Sequence, residues 1–546
     1  MSTLAILVQV SGLVVASMSD PDSCHDVAVV GGGVGGAYTV WRLRNQGLRV
    51  GLYEFSDRLG GRYHTHTFPQ APDVPVELGA MRFNKEKHPV LYRTTQKVGL
   101  KTELSVGPNP LTNKGALFYL RGRYLRKDDF KGDHVPYNLR PHERRGIHEI
   151  YRYLIQHTNF SGNISSIDQE QPYLISEDGV KLEHQTIQEF LRKYLSTEAV
   201  EMVSNVIKTF LYNRSAASVM KYIISHEKFA GYDWLKISGG MQQLPLKLVE
   251  QFLSAGMKHH LHLNHKLVSI STTGNMNILK FVTTRTIDGE TRPNDQFVTV
   301  CSRKVILAIP TPALLHINWK VLQKRHIQAS LDTVSYHYAV KLYLVYDRHW
   351  WKGISNKFKS ICGSLNPYCY RQNYCWPKQA TRLYCCWCDA YGQYMRYNSD
   401  LPLDRTIDFG VSKETGAAVL LVAFSVHDIW NELQKHGDYL WAINQSVSSE
   451  VVRHAHLYLA RQYQIPVRSI PAPIGGLISQ WDDYPYEGSY SSWKIGVEWR
   501  QVWEIIHRPS MTDDIFLASG TYWDYDSDIW TESCLEAIDE IMYRYF

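Results

Sequence analysis

Asp26-Val-Ala-Val-Val30, followed at once by Gly31-Gly-Gly33-Val-Gly-Gly36, is the stretch of sequence that decides the fold. Its first five residues are mostly apolar and β-branched, which predicts a buried parallel strand. Residues 37–46 then carry a helical pattern that Gly47 closes, and residues 48–53 predict a second strand. Strand, glycine-rich turn, helix and strand in this order are typical of a Rossmann-like α/β unit.

Three glycines of this turn have distinct physical roles. Gly31 permits the tight turn, Gly33 lets the backbone approach a diphosphate, and Gly36 lets the helix pack closely on the strand. The diphosphate would meet the start of the helix, where N–H groups and the helix dipole favour an anion. Glu54 ends the second strand and can accept hydrogen bonds from ribose hydroxyls. The alternative is a structural turn without a ligand, but the complete order of elements argues against it. The predicted cofactor residues of this unit are Gly31, Gly33, Val34, Gly35, Gly36 and Glu54.

The residues that follow Glu54 indicate which dinucleotide this unit would bind, a nicotinamide cofactor or FAD. Arg58-Leu-Gly-Gly61-Arg62 places two arginines around a pair of glycines, which suits a second loop pressed against a diphosphate. Residues 54–62 resemble the E-x-x-x-R-x-G-G-R element of the flavin-containing amine oxidase superfamily. The resemblance implies that FAD is the cofactor and that Arg58, Gly61 and Arg62 contact it.

The same resemblance continues as far as residue 538. Glu77-Leu-Gly79-Ala80-Met81-Arg82 is similar to the GxMR segment of L-amino-acid oxidases. Residues 261–270 alternate like a strand, in which Val268 matches the residue whose backbone meets the flavin adenine. Other similar segments are 239–245, 305–310, 337–351, 481–490, 516–520 and 530–538, and the secreted gastropod oxidases of the achacin and aplysianin type are the branch most resembled. The cofactor residues that the resemblance adds are Gly79, Ala80, Met81, Arg82, Val268, Gly520, Thr521, Trp530 and Ser533.

Arg82, Lys341 and Tyr374 are the candidate substrate-binding and catalytic residues. Arginine binds a carboxylate through two parallel hydrogen bonds, so Arg82 would anchor the carboxylate of an α-amino acid; the alternative is a structural arginine. By resemblance, Lys341 holds a water beside the flavin and assists its reaction with oxygen, whereas the alternative is a solvated lysine. Residues 370–376 resemble a segment through which Tyr374 would share the substrate carboxylate.

Two departures from the family pattern lie close together in the sequence. This chain has Gly520-Thr521 where relatives have Gly-Glu, so an acceptor for the sugar-like chain of the flavin is lost. It also has Glu532-Ser533-Cys534 where relatives have Glu-Gly-Ala, and the added side chains would crowd a close approach of the backbone. Both departures favour weaker FAD binding.

The resemblance implies an enzyme that oxidises an L-amino acid to an imino acid, which water hydrolyses to a 2-oxo acid and ammonia while dioxygen becomes hydrogen peroxide. An L-amino acid and dioxygen are therefore the expected partners, and defence is the expected role of the peroxide. A monoamine or polyamine oxidase is the alternative among enzymes, and Arg82 argues against it. A non-catalytic secreted glycoprotein that keeps the fold is the alternative that the two departures favour.

Composition and the first residues place the chain among globular, exported proteins. Of 546 residues, 44% are hydrophobic and 21% are charged, which argues against a disordered chain. The net charge of +6 comes from scattered Lys and Arg, so composition gives no case for nucleic-acid binding.

Residues 1–19 resemble a signal peptide; a membrane anchor is the weaker alternative, because Gln9, Ser11 and Gly12 interrupt the apolar run. We expect a secreted, extracellular protein with no membrane segment after cleavage.

Sequons and cysteines support export. Six of the nine cysteines fall within residues 362–388, a density typical of disulfide-stapled loops. A zinc site at the Cys385 and Cys388 pair is the alternative, but a second matching pair is missing, so the sequence predicts no metal site. Cys534 is the predicted unpaired cysteine. The sequence leaves the oligomeric state open, with a homodimer as one option. The predicted glycosylation sites are Asn159, Asn163, Asn213 and Asn444.

The predicted architecture is α/β with α+β insertions: a Rossmann-like FAD-binding domain, a mixed-sheet substrate domain and a helical subdomain. The FAD-binding domain is discontinuous and comprises residues 24–85, 236–325 and 505–546. Residues 86–129 and 326–504 form the substrate domain, with a cysteine-rich insertion at 362–388. Residues 130–235 form the helical subdomain, where apolar residues recur at helical spacing over 142–158 and further helical patterns cover 186–212.

Overall fold

The structure is a computed structural model that describes residues 24–105, 117–159, 174–207, 214–228, 233–287, 289–352, 396–438, 447–523 and 530–546. The predicted signal peptide, the cysteine-rich insertion and Tyr374 lie outside these residues, as do three of the four sequons, Asn163, Asn213 and Asn444. Among the described helices, none combines the length and the apolar content that crossing a bilayer requires.

The strands, in chain order, are β1 His25–Val30, β2 Val50–Tyr53, β3 Thr65–Phe68, β4 Ala71–Glu77, β5 Phe83–Asn84, β6 Thr102–Leu104, β7 Leu117–Leu120, β8 Arg123–Arg126, β9 Trp234–Ile237, β10 His259–His262, β11 His265–Thr273, β12 Met276–Ile287, β13 Glu290–Leu307, β14 Val334–His337, β15 Val340–Tyr346, β16 Arg396–Ser399, β17 Arg405–Val411, β18 Ala418–Ser425, β19 Gly475–Ser479, β20 Tyr490–Trp493 and β21 Ile515–Leu517. The helices are α1 Val34–Leu43, α2 Pro89–Lys97, α3 Ile147–Gln156, α4 Ile187–Tyr194, α5 Thr197–Ile207, α6 Ala216–Lys228, α7 Gln243–Ser254, α8 Thr311–Leu315, α9 Arg325–Leu331, α10 Ile429–Gln434, α11 Ser449–Tyr463, α12 Trp499–Ile506 and α13 Trp530–Tyr545.

The first sheet has the strand order β10-β2-β1-β13-β12-β11, and β21 pairs with β13. β1 lies between β2 and β13 and is parallel to both, while β11, β12 and β13 form an antiparallel meander. Val27, Ala28 and Val29 are at most 1% exposed, because both faces of β1 are covered. The predicted buried parallel strand is therefore confirmed, and so is the α/β class.

The first helix begins earlier than the sequence pattern predicts. α1 starts at Val34 rather than Ala37, and it ends at Leu43. Glycines pack the start of the helix directly on the preceding turn, since a Cβ on Gly36 would lie 1.8 Å from the carbonyl oxygen of Gly31. Gly47, with φ +72°, belongs to the turn before β2 and does not close the helix.

The single strand predicted for residues 261–270 is wrong, because the chain forms two strands there. β10 runs parallel to β2, whereas β11 runs antiparallel to β12. Asn264 lies between them with φ +61°, a left-handed conformation that asparagine adopts more readily than most residues. The alternating apolar pattern continues across this turn and hides it.

The second sheet has the strand order β19-β15-β18-β17-β16-β7-β8. β15 lies between β18 and β19, and each of its seven residues is buried. A separate helical core forms from α3 to α6, in which the apolar residues of α3 are buried as their helical spacing predicts: Ile147, Ile150, Tyr151, Leu154 and Ile155.

Residues 86–129, which the sequence assigns to the substrate domain, divide between two parts of the molecule. α2 buries Leu91 and Val98 in the core around the first sheet, whereas β7 and β8 join the second sheet. Glu532 of α13 accepts hydrogen bonds from the N–H groups of Val90 and Leu91, and this contact between distant residues holds α2 in place. The other predicted boundaries stay a prediction.

Candidate functional site

A cavity opens where the first glycine turn meets the start of α1. Its wall includes Gly31, Gly33, Val34 and Gly35. Gly31 has φ +106°, a conformation that side chains rarely adopt, and a Cβ on Gly33 would meet no atom closer than 4.0 Å. The first turn of α1 carries no acidic side chain, so its N–H groups and dipole present partial positive charge. The backbone at Gly33 is therefore an open cradle for an anion.

A second glycine loop closes against the first. The Gly60 N–H donates to the carbonyl oxygen of Gly32 at 2.8 Å, and Gly33 and Gly60 form an isolated β-bridge. Gly61, with φ +56°, lines the cavity, and its added Cβ would lie 3.3 Å from the Cα of Gly33. A side chain at Gly61 would therefore press against the first loop.

Arg62 brings a cation to this cradle. It lines the cavity, and its guanidinium donates to the carbonyl oxygen of Ser489 at 2.9 Å. Burial lowers the pKa of Arg62, because the charged form loses hydration. An anion in the cavity would compensate for that loss. Arg58 instead donates to the carbonyl oxygen of Gly61 at 3.0 Å and lies outside the cavity wall, so it supports the loop.

Glu54 supplies hydrogen-bond acceptors to the same cavity. Its Oε2 accepts from the Gly32 N–H at 2.6 Å, and its Oε1 accepts from the Ser56 N–H at 2.9 Å and the Ser56 hydroxyl at 2.8 Å. A carboxylate has about four lone-pair sites, so about one acceptor site remains for a ligand hydroxyl. These bonds fix the carboxylate at the wall of the cavity.

Gly520, Thr521 and Cys534 also line the cavity. Cys534 is a free thiol among the described cysteines, as predicted, and burial raises the pKa of this thiol to about 11. Its Sγ lies 2.8 Å from where a Cβ on Gly35 would stand, so the thiol occupies the space that this glycine leaves. Whether Ser533 and Cys534 weaken FAD binding stays a prediction. Trp530 begins α13.

Hydrogen bonds from the second sheet hold the backbone of residues 77–79. Lys341 donates from Nζ to the carbonyl oxygens of Glu77 at 2.9 Å and Gly79 at 2.6 Å. The Tyr343 hydroxyl donates to the same Glu77 oxygen at 2.8 Å. The carbonyl oxygen of Leu78 accepts from Ser479 Oγ and from Trp481 Nε1, both at 3.2 Å. Four side chains therefore position the segment that leads to Arg82.

This segment also contacts the cavity loop directly. The Ala80 N–H donates to the carbonyl oxygen of Arg62 at 3.0 Å, and a Cβ on Gly79 would lie 1.8 Å from that oxygen. Lys341 is therefore linked to the cavity through Gly79 and the backbone of Arg62.

Lys341 is buried, with 5% of its surface exposed, so the solvated-lysine alternative does not apply. Burial lowers the pKa of Lys341 to about 8 and raises the pKa of the neighbouring Glu77 carboxyl to about 7. Glu77 accepts hydrogen bonds from Thr65 Oγ1 at 3.0 Å and from the Met241 N–H at 2.8 Å.

Arg82 lies near Lys341. Its guanidinium carbon is 4.6 Å from the centroid of the Trp234 ring, a stacking contact that restricts the guanidinium plane. The charge of Arg82 also lowers the pKa of Lys341. The two cationic side chains therefore lie close enough to interact electrostatically.

The structure divides the sequence-predicted residues between the cavity wall and its surroundings. Val268 is engaged inside the protein, where its carbonyl oxygen accepts from the Asn318 N–H at 2.9 Å, and Asn159 is exposed. The predicted residues in the wall are Gly31, Gly33, Val34, Gly35, Glu54, Gly61, Arg62, Gly520 and Thr521. Those outside the wall are Gly36, Arg58, Gly79, Ala80, Met81, Arg82, Val268, Ser533 and Lys341.

Several wall residues were not predicted from the sequence. Tyr484 and Tyr486 line the cavity, and Lys266 Nζ lies 3.9 Å from the centroid of the Tyr484 ring. Tyr486 packs edge-on against Trp481, with ring centroids 4.7 Å apart. The resemblance of residues 481–490 was the available signal for these tyrosines, and the resemblance at Val268, two residues away, was the signal for Lys266.

The residues present fit FAD. The open backbone at Gly33 and the partly buried guanidinium of Arg62 suit its diphosphate, and Glu54 suits its ribose. Thr521 and Cys534 line the cavity without closing the Gly33 cradle.

Comparisons with known proteins agree with this site. The family described as flavin containing amine oxidoreductase matches residues 39–386. Achacin from Lissachatina fulica is 29% identical over 95% of this chain and 93% of its own length, and aplysianin-A from Aplysia kurodai is 28% identical over 96% and 92%. A solved structure of wild-type putrescine oxidase bound to putrescine has a TM-score of 0.64 at 17% identity, over 95% of this chain and 99% of that one. The chain therefore belongs to the flavin containing amine oxidoreductase family, and FAD is its cofactor.

Proposed function

We propose that this protein is a secreted L-amino-acid oxidase that releases a 2-oxo acid, ammonia and hydrogen peroxide. One observation carries the proposal: Arg82 lies beside the buried Lys341, on a segment whose backbone contacts the cavity loop. This arrangement suits a substrate that brings a carboxylate to the flavin.

Arg82 would bind the substrate carboxylate. Its guanidinium offers parallel N–H donors, and the Trp234 ring restricts its plane before substrate arrives. A carboxylate would also relieve the repulsion between Arg82 and Lys341. A simple diamine would add positive charge to two cations, so the structure favours an amino acid over an amine.

Lys341 would position a water. Its ammonium has three N–H groups, of which two donate to the carbonyl oxygens of Glu77 and Gly79. The third N–H is available to a water molecule at the substrate. When bound, FAD accepts a hydride from the substrate and passes two electrons to dioxygen. The cation at Lys341 would stabilise negative charge that develops on the oxygen.

The cavity residues would hold the cofactor. The start of α1 and Arg62 would bind the diphosphate, and Glu54 would bind ribose hydroxyls. Arg58 would support the loop that carries Arg62.

Secretion and defence complete the proposal. Residues 1–19 resemble a signal peptide, and the exposed Asn159 begins a sequon. A disulfide joins Cys24 to Cys301, which is typical of proteins from oxidising compartments. An extracellular source of hydrogen peroxide would suit an antimicrobial role.

Peroxide release from purified protein tests the substrate class. Each of the twenty L-amino acids, their D-enantiomers and putrescine would be supplied in turn, after a visible spectrum has confirmed bound flavin. We expect peroxide from L-amino acids and little from putrescine. Putrescine as the best substrate would replace the proposal with an amine oxidase. A colourless protein that does not take up added FAD would favour a non-catalytic glycoprotein.

A further inference from the structure

Glu183, His184 and Glu498 meet where a short helix, Leu182–His184, packs against the start of α12. One potential ligand atom from each residue lies within 4.8 Å of the other two. The Gly496 N–H donates to the carbonyl oxygen of Glu183 at 2.7 Å, which holds the two segments together. The cluster lies outside the cavity wall and has no part in the proposed oxidation.

Glu183 is the unusual member of this cluster. Its side chain is 1% exposed, and its Oε1 has no hydrogen-bond partner within the part of the chain that the structure describes. A buried carboxylate oxygen without a donor is costly, and native proteins rarely leave one.

Glu498 is held in position by two neighbouring side chains. Lys181 Nζ donates to its Oε1 at 2.8 Å, and Gln501 Nε2 donates to its Oε2. The carboxylates of Glu183 and Glu498 and the ammonium of Lys181 lie beside the exposed His184, so the cluster offers both carboxylate and imidazole ligands to a cation.

We propose that Glu183, His184 and Glu498 bind one borderline divalent cation of the Zn²⁺ class. Two carboxylates and one imidazole are ligands that zinc accepts, and three protein ligands leave a position for water. Tetrahedral ligands at zinc distances lie about 3.3 Å apart, so small rotations of the three side chains would bring their ligand atoms onto one ion. The ion would supply the missing partner of Glu183 and tie the helical unit to α12.

Residue spacing could not reveal this site. Glu183 and His184 are adjacent, but Glu498 lies more than three hundred positions away, so no zinc-binding pattern forms in the sequence.

Zinc titration of the full-length, FAD-containing protein tests the proposal after a chelator has removed metal. Binding would be measured by calorimetry and by the zinc-dependent rise in thermal midpoint, for the parent and for His184→Ala, Glu183→Gln and His326→Ala. His326 is an exposed histidine of α9 and serves as the matched control. Other thiols and imidazoles can bind zinc, so the differences between variants carry the result.

We expect His184→Ala and Glu183→Gln to weaken one zinc equivalent by at least tenfold and to abolish most of the rise in midpoint. His326→Ala should behave like the parent, and Ca²⁺ should not replace zinc, because imidazole is a poor ligand for it. His184 is exposed, so its variant should fold even if Glu183→Gln does not. The proposal fails if His184→Ala binds zinc with the parent's stoichiometry and affinity.

Discussion

Arg82 is the residue on which the proposed preference for amino acids depends. Arg82→Lys keeps the positive charge but loses the parallel donors and the stacking on Trp234. Losing charged hydrogen bonds costs about 1.5–3 kcal/mol, so kcat/KM for L-amino acids should fall by roughly tenfold to hundredfold. Steady-state peroxide release measures this. Arg325→Lys, on the exposed surface of α9, is the matched control and should leave kcat/KM unchanged. The proposed role of Arg82 would be wrong if the Arg82→Lys enzyme oxidised L-amino acids with the parent's kcat/KM.

Lys341 should matter for the reaction with oxygen rather than for oxidation of the substrate. Lys341→Met fills a similar volume without the ammonium, so flavin reoxidation should slow while anaerobic reduction by the amino acid continues. Stopped-flow absorbance separates these two steps. Equal reoxidation rates in the variant and the parent would contradict the assignment.

The pKa of Lys341 adds a pH dependence to this prediction. Burial lowers this pKa to about 8, so the ammonium loses its proton as pH rises through that value. Reoxidation in the parent should therefore be fast below about pH 8 and decline above it. Lys341→Met has no ammonium to lose, so its slower rate should show no such decline. A decline of the same size in the variant would assign it to another group.

Gly35 of α1 and Cys534 of α13 are in close contact where the two helices pack. A Cβ on Gly35 would lie 2.8 Å from Cys534 Sγ, whereas the next contacts, with Ile538 and Ala308, are 3.6 and 3.9 Å away. Gly35→Ala should therefore lower the thermal midpoint through an overpacking cost of about 1–3 kcal/mol. Cys534→Ala removes the close atom, so the double variant should recover most of the loss. A double variant as unstable as Gly35→Ala would show that the clash lies elsewhere.

Local sequence patterns were sufficient to predict the elements that depend on residues close together in the chain. The glycine turn, β1 and α3 follow from spacing over a few residues, and the structure has all three. The surroundings of Lys341 were not predictable, because its acceptors at Glu77 and Gly79 are about 260 positions away. The turn at Asn264 was missed for a different reason, since the apolar alternation continues through it.

The cavity collects residues from distant parts of the chain into one site. Its wall includes Gly33 near the first strand, Lys266 from the meander, Tyr486 after the second sheet and Cys534 in α13. FAD therefore binds only after these segments have come together, so cofactor binding favours the fully folded chain. The disulfide acts on the same arrangement from outside the cavity, because it ties the start of β1 to β13.

Removing this disulfide should destabilise the whole molecule. Cys24 and Cys301 are separated by 277 positions, so their bond removes considerable freedom from the unfolded chain. Cys24→Ser with Cys301→Ser should cost up to about 5 kcal/mol and lower the thermal midpoint. A reductant should lower the parent's midpoint toward that of the double variant, and the reductant-dependent shift should shrink in the variant. Cys534→Ser, which alters a free thiol, should keep the parent's full sensitivity to reductant. A double-serine variant that unfolds at the parent's midpoint would mean that pairing within the first sheet holds β1 without the covalent bond.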